Sequence, residues 1–208
     1  QNVNWDKKDY WANEKGECME YKNSTYGLAC TASGEHAGTL TQKQKEANAS
    51  YIYDYLKNNG WTKEAISGLL GNIEQESQFN PGVWQDWHNT EKLGYGLVQW
   101  SPAKGFLEEV WLNADSADNL ANTDAKKLMD LELDFLICTC TVKDYNKNRW
   151  IATSKYSSPY VMKYEEYIKS EHSPEDLALV FHASYERSND NDKLKNTRAN
   201  NARKWYNY

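Results

Sequence analysis

The sequence predicts a mainly α-helical fold of the α+β kind, with one short β-hairpin. Apolar residues recur at helical spacing over most of the chain from residue 41 onward, and the notable strand candidate is a single Gly-containing stretch at 93–100. With 208 residues, the chain is long enough for one well-packed core and too short for two full enzymatic domains.

The N-terminal part of the chain differs in composition from the rest. Residues 1–38 are polar, contain scattered glycines and have no sustained periodicity. We therefore expect an N-terminal extension or cap over residues 1–38 and one folded domain over residues 39–208. No apolar stretch approaches the roughly 18 to 20 residues that a membrane span needs, so no membrane span is expected.

Two amphipathic helices are predicted at the start of the folded domain. Thr41 and Gln44 have the spacing of a capping box, and the helical pattern that follows ends at Asn58-Asn59-Gly60. Thr62 can cap a second helix, which is expected to end near Ser77. Its apolar stripe consists of Ile66, Leu69, Leu70 and Ile73.

Helical patterns continue to the C-terminus. The Ser173-Pro174 pair is a strong signal for a helix start, and the polar stretch 188–192 is expected to be a loop. The β-hairpin is placed at Leu93 to Trp100. Further helices are predicted over residues 102–111, 124–137, 160–170, 173–185 and 194–206.

Charge and aromatic composition narrow the classes of ligand. A formal net charge of −6 argues against nucleic acid, because phosphate binding needs clustered Lys and Arg. The chain has 9 Trp and 15 Tyr but only 4 Phe, so rings with a polar group outnumber plain apolar rings. This excess suits the recognition of carbohydrate.

The four cysteines allow several interpretations. Their even number favours two disulfides in an oxidising compartment, although four cysteines allow three connectivities. Two unpaired buried thiols are the alternative. Cys138 and Cys140 are too close for an easy bridge to each other, so bridges from Cys18 and Cys30 to this pair are favoured. A zinc site is disfavoured because the paired two-residue spacing is missing, and we expect no metal.

The end of the second helix offers candidates for acid catalysis. Cleavage of a glycosidic bond needs an acid that stays protonated near neutral pH, which an apolar wall or a nearby carboxylate can arrange. Glu74 and Glu76 lie at opposite edges of the apolar stripe, so helical periodicity does not choose between them.

The motifs around these glutamates resemble the phage tail-tip lysozyme family and, more loosely, the superfamily of goose-type lysozymes and soluble lytic transglycosylases. The similarity covers most of residues 40–208. It is carried by Leu40, Asn59-Gly60-Trp61-Thr62-Lys63, Gly68-Leu69-Leu70-Gly71-Asn72, Glu76-Ser77, Asn80-Pro81-Gly82, Trp84-Gln85, Gly94-Tyr95-Gly96-Leu97-Val98-Gln99-Trp100 and Ala183-Ser184-Tyr185-Glu186-Arg187.

The resemblance implies a lysozyme-like fold that degrades peptidoglycan without a cofactor. In that family the glutamate before the serine is the catalytic acid, which assigns this role to Glu76 and leaves Glu74 as a neighbour. The expected reaction is hydrolysis of the β-1,4 bond between N-acetylmuramic acid and N-acetylglucosamine.

The resemblance also implies a set of substrate-binding residues. The hairpin is expected to form one wall of the cleft, and a later helix faces the same cleft. Glu186 belongs to that helix, and a structural ion pair with Arg187 is its alternative role. The expected set is Ser77, Tyr95, Gln99, Trp100, Tyr185 and Glu186.

The second carboxylate is left open by the sequence. Asp86 and Glu91 lie between the acid and the hairpin, where either could activate a water or act as nucleophile. Retaining enzymes hold the two carboxyls about 5 to 5.5 Å apart and inverting enzymes about 6.5 to 9.5 Å. If neither carboxylate reaches, a lytic transglycosylase remains, in which Glu76 is first acid and then base and the product is a 1,6-anhydro sugar.

Two other classes of function are weighed against these. A cysteine peptidase would pair Cys138 or Cys140 with His172 or His182, but both cysteines lie at the end of a predicted helix rather than at its N-terminus. A glycan-binding module without catalysis would keep the aromatic residues and lose turnover, which the intact Glu76 argues against.

The expected partners are peptidoglycan glycan strands and other phage tail or cell-wall proteins. The resemblance places the protein in a virion, as a tail component that opens a cell wall. An extracellular or cell-wall enzyme of a bacterium, used in wall remodelling, is the alternative.

Overall fold

A computed structural model describes residues 40–208 of the chain. This part is mainly helical, as predicted. The helices are α1 Gln42–Asn58, α2 Lys63–Ser77, a 3-10 turn Gln85–Trp87, α3 Ala103–Glu109, α4 Ala114–Thr123, α5 Ala125–Thr141, α6 Tyr164–Lys169, α7 Pro174–Phe181, a π-helical turn His182–Glu186 and α8 Asp192–Tyr206.

The described residues group into two compact units. The first contains 40–51 and Glu76–Phe135, and the second contains Ile52–Gln75 and Leu136–Tyr208. Glu76 and Ser77, the last two residues of α2, therefore belong to the first unit. One folded domain over residues 39–208 stays a prediction.

The predicted starts of the first two helices are confirmed. Thr41 and Gln44 form the capping box: the Thr41 amide donates to Gln44 Oε1 at 2.8 Å, and the Gln44 amide donates to Thr41 Oγ1 at 3.2 Å. The Ala65 amide donates to Thr62 Oγ1 at 3.2 Å. Each side chain thus satisfies an amide that the first helical turn leaves without a partner.

An aromatic cluster forms the core of the first unit. The Trp100 and Phe106 rings stack with centroids 4.9 Å apart, and Phe135 meets the Trp100 ring edge-on at 5.3 Å. Tyr95 lies between Phe106 and Trp84, with ring centroids 6.1 and 4.3 Å away. Such packing of rings contributes stability beyond the apolar area that it buries.

The predicted hairpin at 93–100 is wrong as a pair of strands. In the described chain this segment has only isolated antiparallel bridges, from Tyr95 to Trp84 and to Trp100. Tyr95 and Trp100 exchange both backbone hydrogen bonds, but the next pairing position outward is Pro102, which has no amide hydrogen to donate. Leu97 lies in the turn between them, where its amide donates to the side chain of Glu132. The segment is a tight loop that is held at both ends.

Helix α4 was not predicted from the sequence. Asn113 caps it: its Oδ1 accepts from the Ser116 amide at 2.8 Å, and Ser116 Oγ accepts from the Asn113 amide at 2.8 Å. The serine stands where the usual signal has Glu or Gln, and the buried residues are Asp118 and the small residues Ala117 and Ala121, with no large apolar side chain. Both features weaken the sequence signal.

Small residues let the helices of the second unit approach closely. A Cβ on Gly68 would lie 2.8 Å from the carbonyl carbon of Leu177 in α7, and one on Gly71 would lie 2.8 Å from the Ala202 nitrogen in α8. Glycines at 68 and 71 therefore fix the packing of α2 against α7 and α8.

The predicted helix at 173–185 is divided into α7 and the π-helical turn, which ends at Arg187 with φ 52°.

The disulfide prediction is not supported at the two cysteines that the structure describes. Cys138 is an exposed free thiol and Cys140 a buried free thiol, both in α5. Two residues apart on a helix, the side chains point to different sides. Cys18 and Cys30, the expected partners, lie outside the described residues.

Among residues 40–208, no helix has the length and apolar character of a membrane-spanning segment. No group of three or more His, Cys, Asp and Glu side chains in this part could hold a metal ion.

Candidate active site

A cavity of about 290 Å³ lies at the C-terminal end of α2, in the first unit. Of the described residues that line it, two are acidic, Glu76 and Asp86. The lining residues are Leu40, Glu76, Ser77, Gln78, Asn80, Val83, Trp84, Gln85, Asp86, Trp87 and Gln99.

The abrupt end of α2 positions Glu76 at this cavity. Gln78 and Phe79 both adopt left-handed backbone conformations, with φ of 53° and 65°, so the helix stops directly after Ser77. The Phe79 carbonyl accepts a hydrogen bond of 2.8 Å from Asn48 Nδ2, which fixes the turn. Glu76 is half-buried in the last helical turn.

The two glutamates at the end of α2 have different surroundings. In the second unit, Glu74 Oε1 accepts from the indole Nε1 of Trp205, and Glu74 Oε2 accepts from Lys204 Nζ, both at 2.8 Å. Both carboxylate oxygens of Glu74 are thus used in structural contacts. Glu76 lines the cavity.

The turn Gln85–Trp87 carries Asp86, the second acidic residue that lines the cavity. Asp86 and Trp87 are consecutive left-handed residues, with φ of 52° and 60°. A left-handed backbone costs a residue with a side chain about 1–2 kcal/mol. Two contacts with Gly94 hold the turn: the Gln85 amide donates to the Gly94 carbonyl at 2.8 Å, and the Gly94 amide donates to Gln85 Oε1 at 2.9 Å.

Gln99 lines the cavity with its amide nitrogen already engaged. Its Nε2 donates to the carbonyls of Val83 and Gly96, at 3.2 and 3.0 Å. The Gln99 backbone is also left-handed, with φ 53°. The amide oxygen is therefore the group through which Gln99 would interact with a ligand.

A buried carboxyl lies behind the loop that carries Gln99. Glu132 is completely buried in α5, and its Oε1 accepts from the Leu97 amide at 2.7 Å. Burial raises the pKa of Glu132 well above its usual value, although the Leu97 hydrogen bond opposes this shift. Burial therefore favours the neutral form of this carboxyl. Gly96 packs directly against Glu132 Oε1.

A second buried carboxyl supports the Trp84 wall. Asp118 Oδ1 accepts from the indole Nε1 of Trp84 at 2.8 Å, and Asp118 Oδ2 accepts from Asn89 Nδ2. Burial raises the pKa of Asp118 to about 6, and these two hydrogen bonds partly offset the rise. Neither Asp118 nor Glu132 was singled out from the sequence, because a carboxyl in a helix normally faces solvent.

The structure brings four of the predicted site residues together at the cavity: Glu76, Ser77, Asp86 and Gln99. Trp87 joins them although the sequence did not single it out. The only sequence signal for Trp87 is its position in the Trp-rich segment between Glu76 and the loop at 93–100.

The other predicted residues lie elsewhere. Tyr95 and Trp100 are 0% and 3% exposed and belong to the core of the first unit, so their contact with sugar stays a prediction. Glu91 is half-buried and is not among the described lining residues. Tyr185 and Glu186 lie in the second unit, where the buried Tyr185 hydroxyl is 2.8 Å from Thr139 Oγ1.

Comparison with known proteins assigns the family. The profile of the family described as phage tail lysozyme matches residues 47–208, which include the end of α2, every lining residue of the cavity except Leu40, and the second unit. The chain belongs to the phage tail lysozyme family. The family assignment agrees with the resemblance carried by the Glu76-Ser77 motif.

A relative of this phage tail lysozyme family member is the protein named Morphogenesis protein 1 of Bacillus phage B103. The two are 39% identical over 163 residues, which make up 77% of this chain. The match spans only 39% of the length of the relative.

Proposed function

We propose that this protein hydrolyses the β-1,4 bond between N-acetylmuramic acid and N-acetylglucosamine in peptidoglycan, with Glu76 as the general acid. The observation that carries the proposal is the position of Glu76 in the cavity at the end of α2, in a chain of the phage tail lysozyme family. A general acid must reach the glycosidic oxygen of a bound glycan, and a carboxyl in the wall of a cleft is placed to do so.

The contacts of Glu74 support the choice of Glu76. An acid catalyst must reach the glycosidic oxygen, and both oxygens of Glu74 are held by Lys204 and Trp205. Glu76 protonates the leaving oxygen while the bond to the anomeric carbon breaks, and positive charge develops on the sugar ring. A water molecule then supplies the hydroxyl of the new reducing end.

Asp86 is our candidate for the second carboxylate. It is the other acid among the described lining residues, whereas Glu91 is not one of them. As a carboxylate, Asp86 would stabilise the positive charge on the sugar or deprotonate the attacking water. Gln99 would accept a hydrogen bond from the N–H of an N-acetyl group through its amide oxygen, since its amide nitrogen is engaged.

A lytic transglycosylase is the second candidate, and the exposure of Asp86 favours it. Asp86 lies on an exposed turn while Glu76 is half-buried, so Glu76 would be the one sheltered acid of the cavity. Glu76 would then return as base and deprotonate the 6-hydroxyl of the sugar, which closes a 1,6-anhydro ring.

We infer a role in a phage virion from the family and from the relative, which is named as a morphogenesis protein of a Bacillus phage. A tail component that opens peptidoglycan would fit both. The bacterial alternative, an extracellular enzyme of wall remodelling, uses the same chemistry.

Mass spectrometry of the products released from purified peptidoglycan tests the reaction. New reducing ends are expected from the native protein, and Glu76→Gln should lower the rate at least about 100-fold. Glu74→Gln is the matched control, because it changes the same residue type two positions away and should keep most of the activity. Full activity in Glu76→Gln would overturn the proposal, and 1,6-anhydro ends would establish the transglycosylase.

A further inference from the structure

Two tryptophans line the cavity, and they differ in accessibility. Trp84 is 1% exposed, and its indole N–H is committed to Asp118. Trp87 is half-buried and lines the same cavity as Glu76. Of the two rings, Trp87 is the one that keeps accessible surface for a ligand.

The backbone of Trp87 is held in a conformation that its side chain does not favour. Asp86 and Trp87 are both left-handed, a conformation in which glycine or asparagine is usual. Such strain persists only where the surroundings impose it, and it often accompanies a functional site.

Four hydrogen bonds hold Asp86 and Trp87 in this left-handed conformation. The Trp87 amide donates to the Trp84 carbonyl at 2.9 Å, and the His88 amide donates to the Gln85 carbonyl at 3.1 Å. Gln85 is joined to Gly94 on both its backbone and its side chain. The turn that presents Trp87 is therefore fixed before any ligand arrives, so binding does not have to order it.

We propose that Trp87 is a stacking platform for one N-acetylhexosamine ring of the glycan strand, next to Glu76. The proposal rests on the proposed glycosidase function and adds a binding residue to it. The C–H face of a pyranose ring is apolar, and the flat indole buries it while the polar groups of the sugar stay at the rim. A cavity of about 290 Å³ is near the lower end of the range for ligand sites, roughly 300–1,000 Å³, which suits a single ring in the pocket.

Binding to an inactive enzyme separates this role from catalysis. Peptide-free glycan strands from purified peptidoglycan are titrated calorimetrically into Glu76→Gln and into the same protein with Trp87→Ala or Trp87→Phe. Trp87→Ala should weaken binding about tenfold, because both the ring contact and its buried area are lost. Trp87→Phe keeps a smaller ring and should lose less.

Trp111 supplies a matched control. It also has φ of 60°, but it is 94% exposed and is not among the described residues of the cavity. Trp111→Ala in the Glu76→Gln protein removes the same side chain from the same backbone conformation and should leave the affinity unchanged. In the active enzyme, Trp87→Ala should raise KM more than it lowers kcat, because a stacking contact holds substrate and transition state alike.

Two results would overturn the proposal. If Trp87→Ala and Trp111→Ala bind glycan with equal affinity in the Glu76→Gln protein, while the enzyme that keeps Glu76 has native activity, then the stacking role of Trp87 is refuted and the proposed function stands. If Glu76→Gln binds no glycan and the native protein releases no sugar ends, the proposed function fails and the platform with it. Should Trp87→Ala not fold, as judged by circular dichroism, the affinity of Trp87→Phe relative to Trp111→Phe decides.

Discussion

The indole N–H of Trp84 donates a hydrogen bond of 2.8 Å to Oδ1 of the buried Asp118. Trp84 lines the cavity, whereas Asp118 comes from α4, a helix that otherwise buries small alanines in the first unit. A titratable group is thus joined directly to a wall of the candidate site. Its protonation affects the stability of the unit that holds the cavity.

We expect Asp118 to make the protein more stable as the pH falls from 7 to 5. Its pKa in the folded state, about 6, lies above the ordinary value of 3.8, so the folded protein binds the proton more tightly than the unfolded chain. The contribution is fully present below pH 3.8 and is lost as the pH rises through 6. Relative to Asp118→Asn, the native free energy of unfolding should increase by about 1 kcal/mol between pH 7 and 5.

Urea unfolding at pH 7, 6 and 5 measures this difference. Glu109→Gln, a change at an exposed position of α3, is the control and should follow the native pH dependence. A native minus Asp118→Asn difference that stays constant with pH would refute the assignment.

His182 should have the opposite effect in the second unit. Its ring is completely buried, with Nε2 at 2.9 Å from Ser188 Oγ, and burial together with the charge of Arg198 lowers its pKa to about 4. The unfolded chain therefore binds the proton more tightly, and stability is lost as the pH falls from 6.5 through 4. Between pH 7 and 5, the native protein should lose about 2 kcal/mol relative to His182→Gln.

Denaturant titrations of the native and His182→Gln proteins at several pH values check the direction of this change in stability. His172→Gln is the control, since His172 is exposed. Native and His182→Gln proteins whose free energies of unfolding change in parallel with pH would contradict the prediction.

Local signals in the sequence were sufficient for most of the helices. Thr41 with Gln44, Thr62 and Ser173 each cap a helix where the spacing predicted one. The helix capped by Asn113 was missed, because its box uses a serine and its buried residues are two alanines and an aspartate. Helix ends are thus readable where side chain and spacing follow the common pattern.

The candidate site was only partly predictable, because contacts between distant residues build it. The motif gave Glu76, Ser77 and Gln99, which all line the cavity. The rings of Tyr95 and Trp100 are in the core, and periodicity could not have shown this in a short irregular segment. Trp87 reaches the cavity through a left-handed turn, and the residue types of that turn do not predict such a backbone.

Gly96→Ala should destabilise the loop that carries Gln99. The Gly96 backbone has φ of 87°, and an added Cβ would overlap the buried carboxyl of Glu132. Strain and overlap together should lower the free energy of unfolding by more than about 2 kcal/mol.

Thermal unfolding beside Gly94→Ala tests this. A Cβ on Gly94 would have its nearest contacts with the amide oxygens of Gln99 and Gln85, at 3.0 and 3.1 Å, and would lie 3.4 Å from the Cβ of Gln99, so its cost should be smaller. Equal melting temperatures of the two variants would show that neither the backbone of Gly96 nor its contact with Glu132 restricts this position.

Trp111→Gly should stabilise the protein by about 1 kcal/mol. Trp111 occupies the position after the end of α3 where glycine is preferred: its amide donates to the Glu108 carbonyl at 3.2 Å, and the Leu112 amide donates to the Leu107 carbonyl at 2.8 Å. Its φ is 60° and its side chain is 94% exposed, so glycine relieves the strain and loses little buried area. Trp111→Ala keeps the strain and should give no comparable gain. Chemical denaturation of the two variants compares them, and a Trp111→Gly protein less stable than Trp111→Ala would mean that the indole makes a stabilising contact.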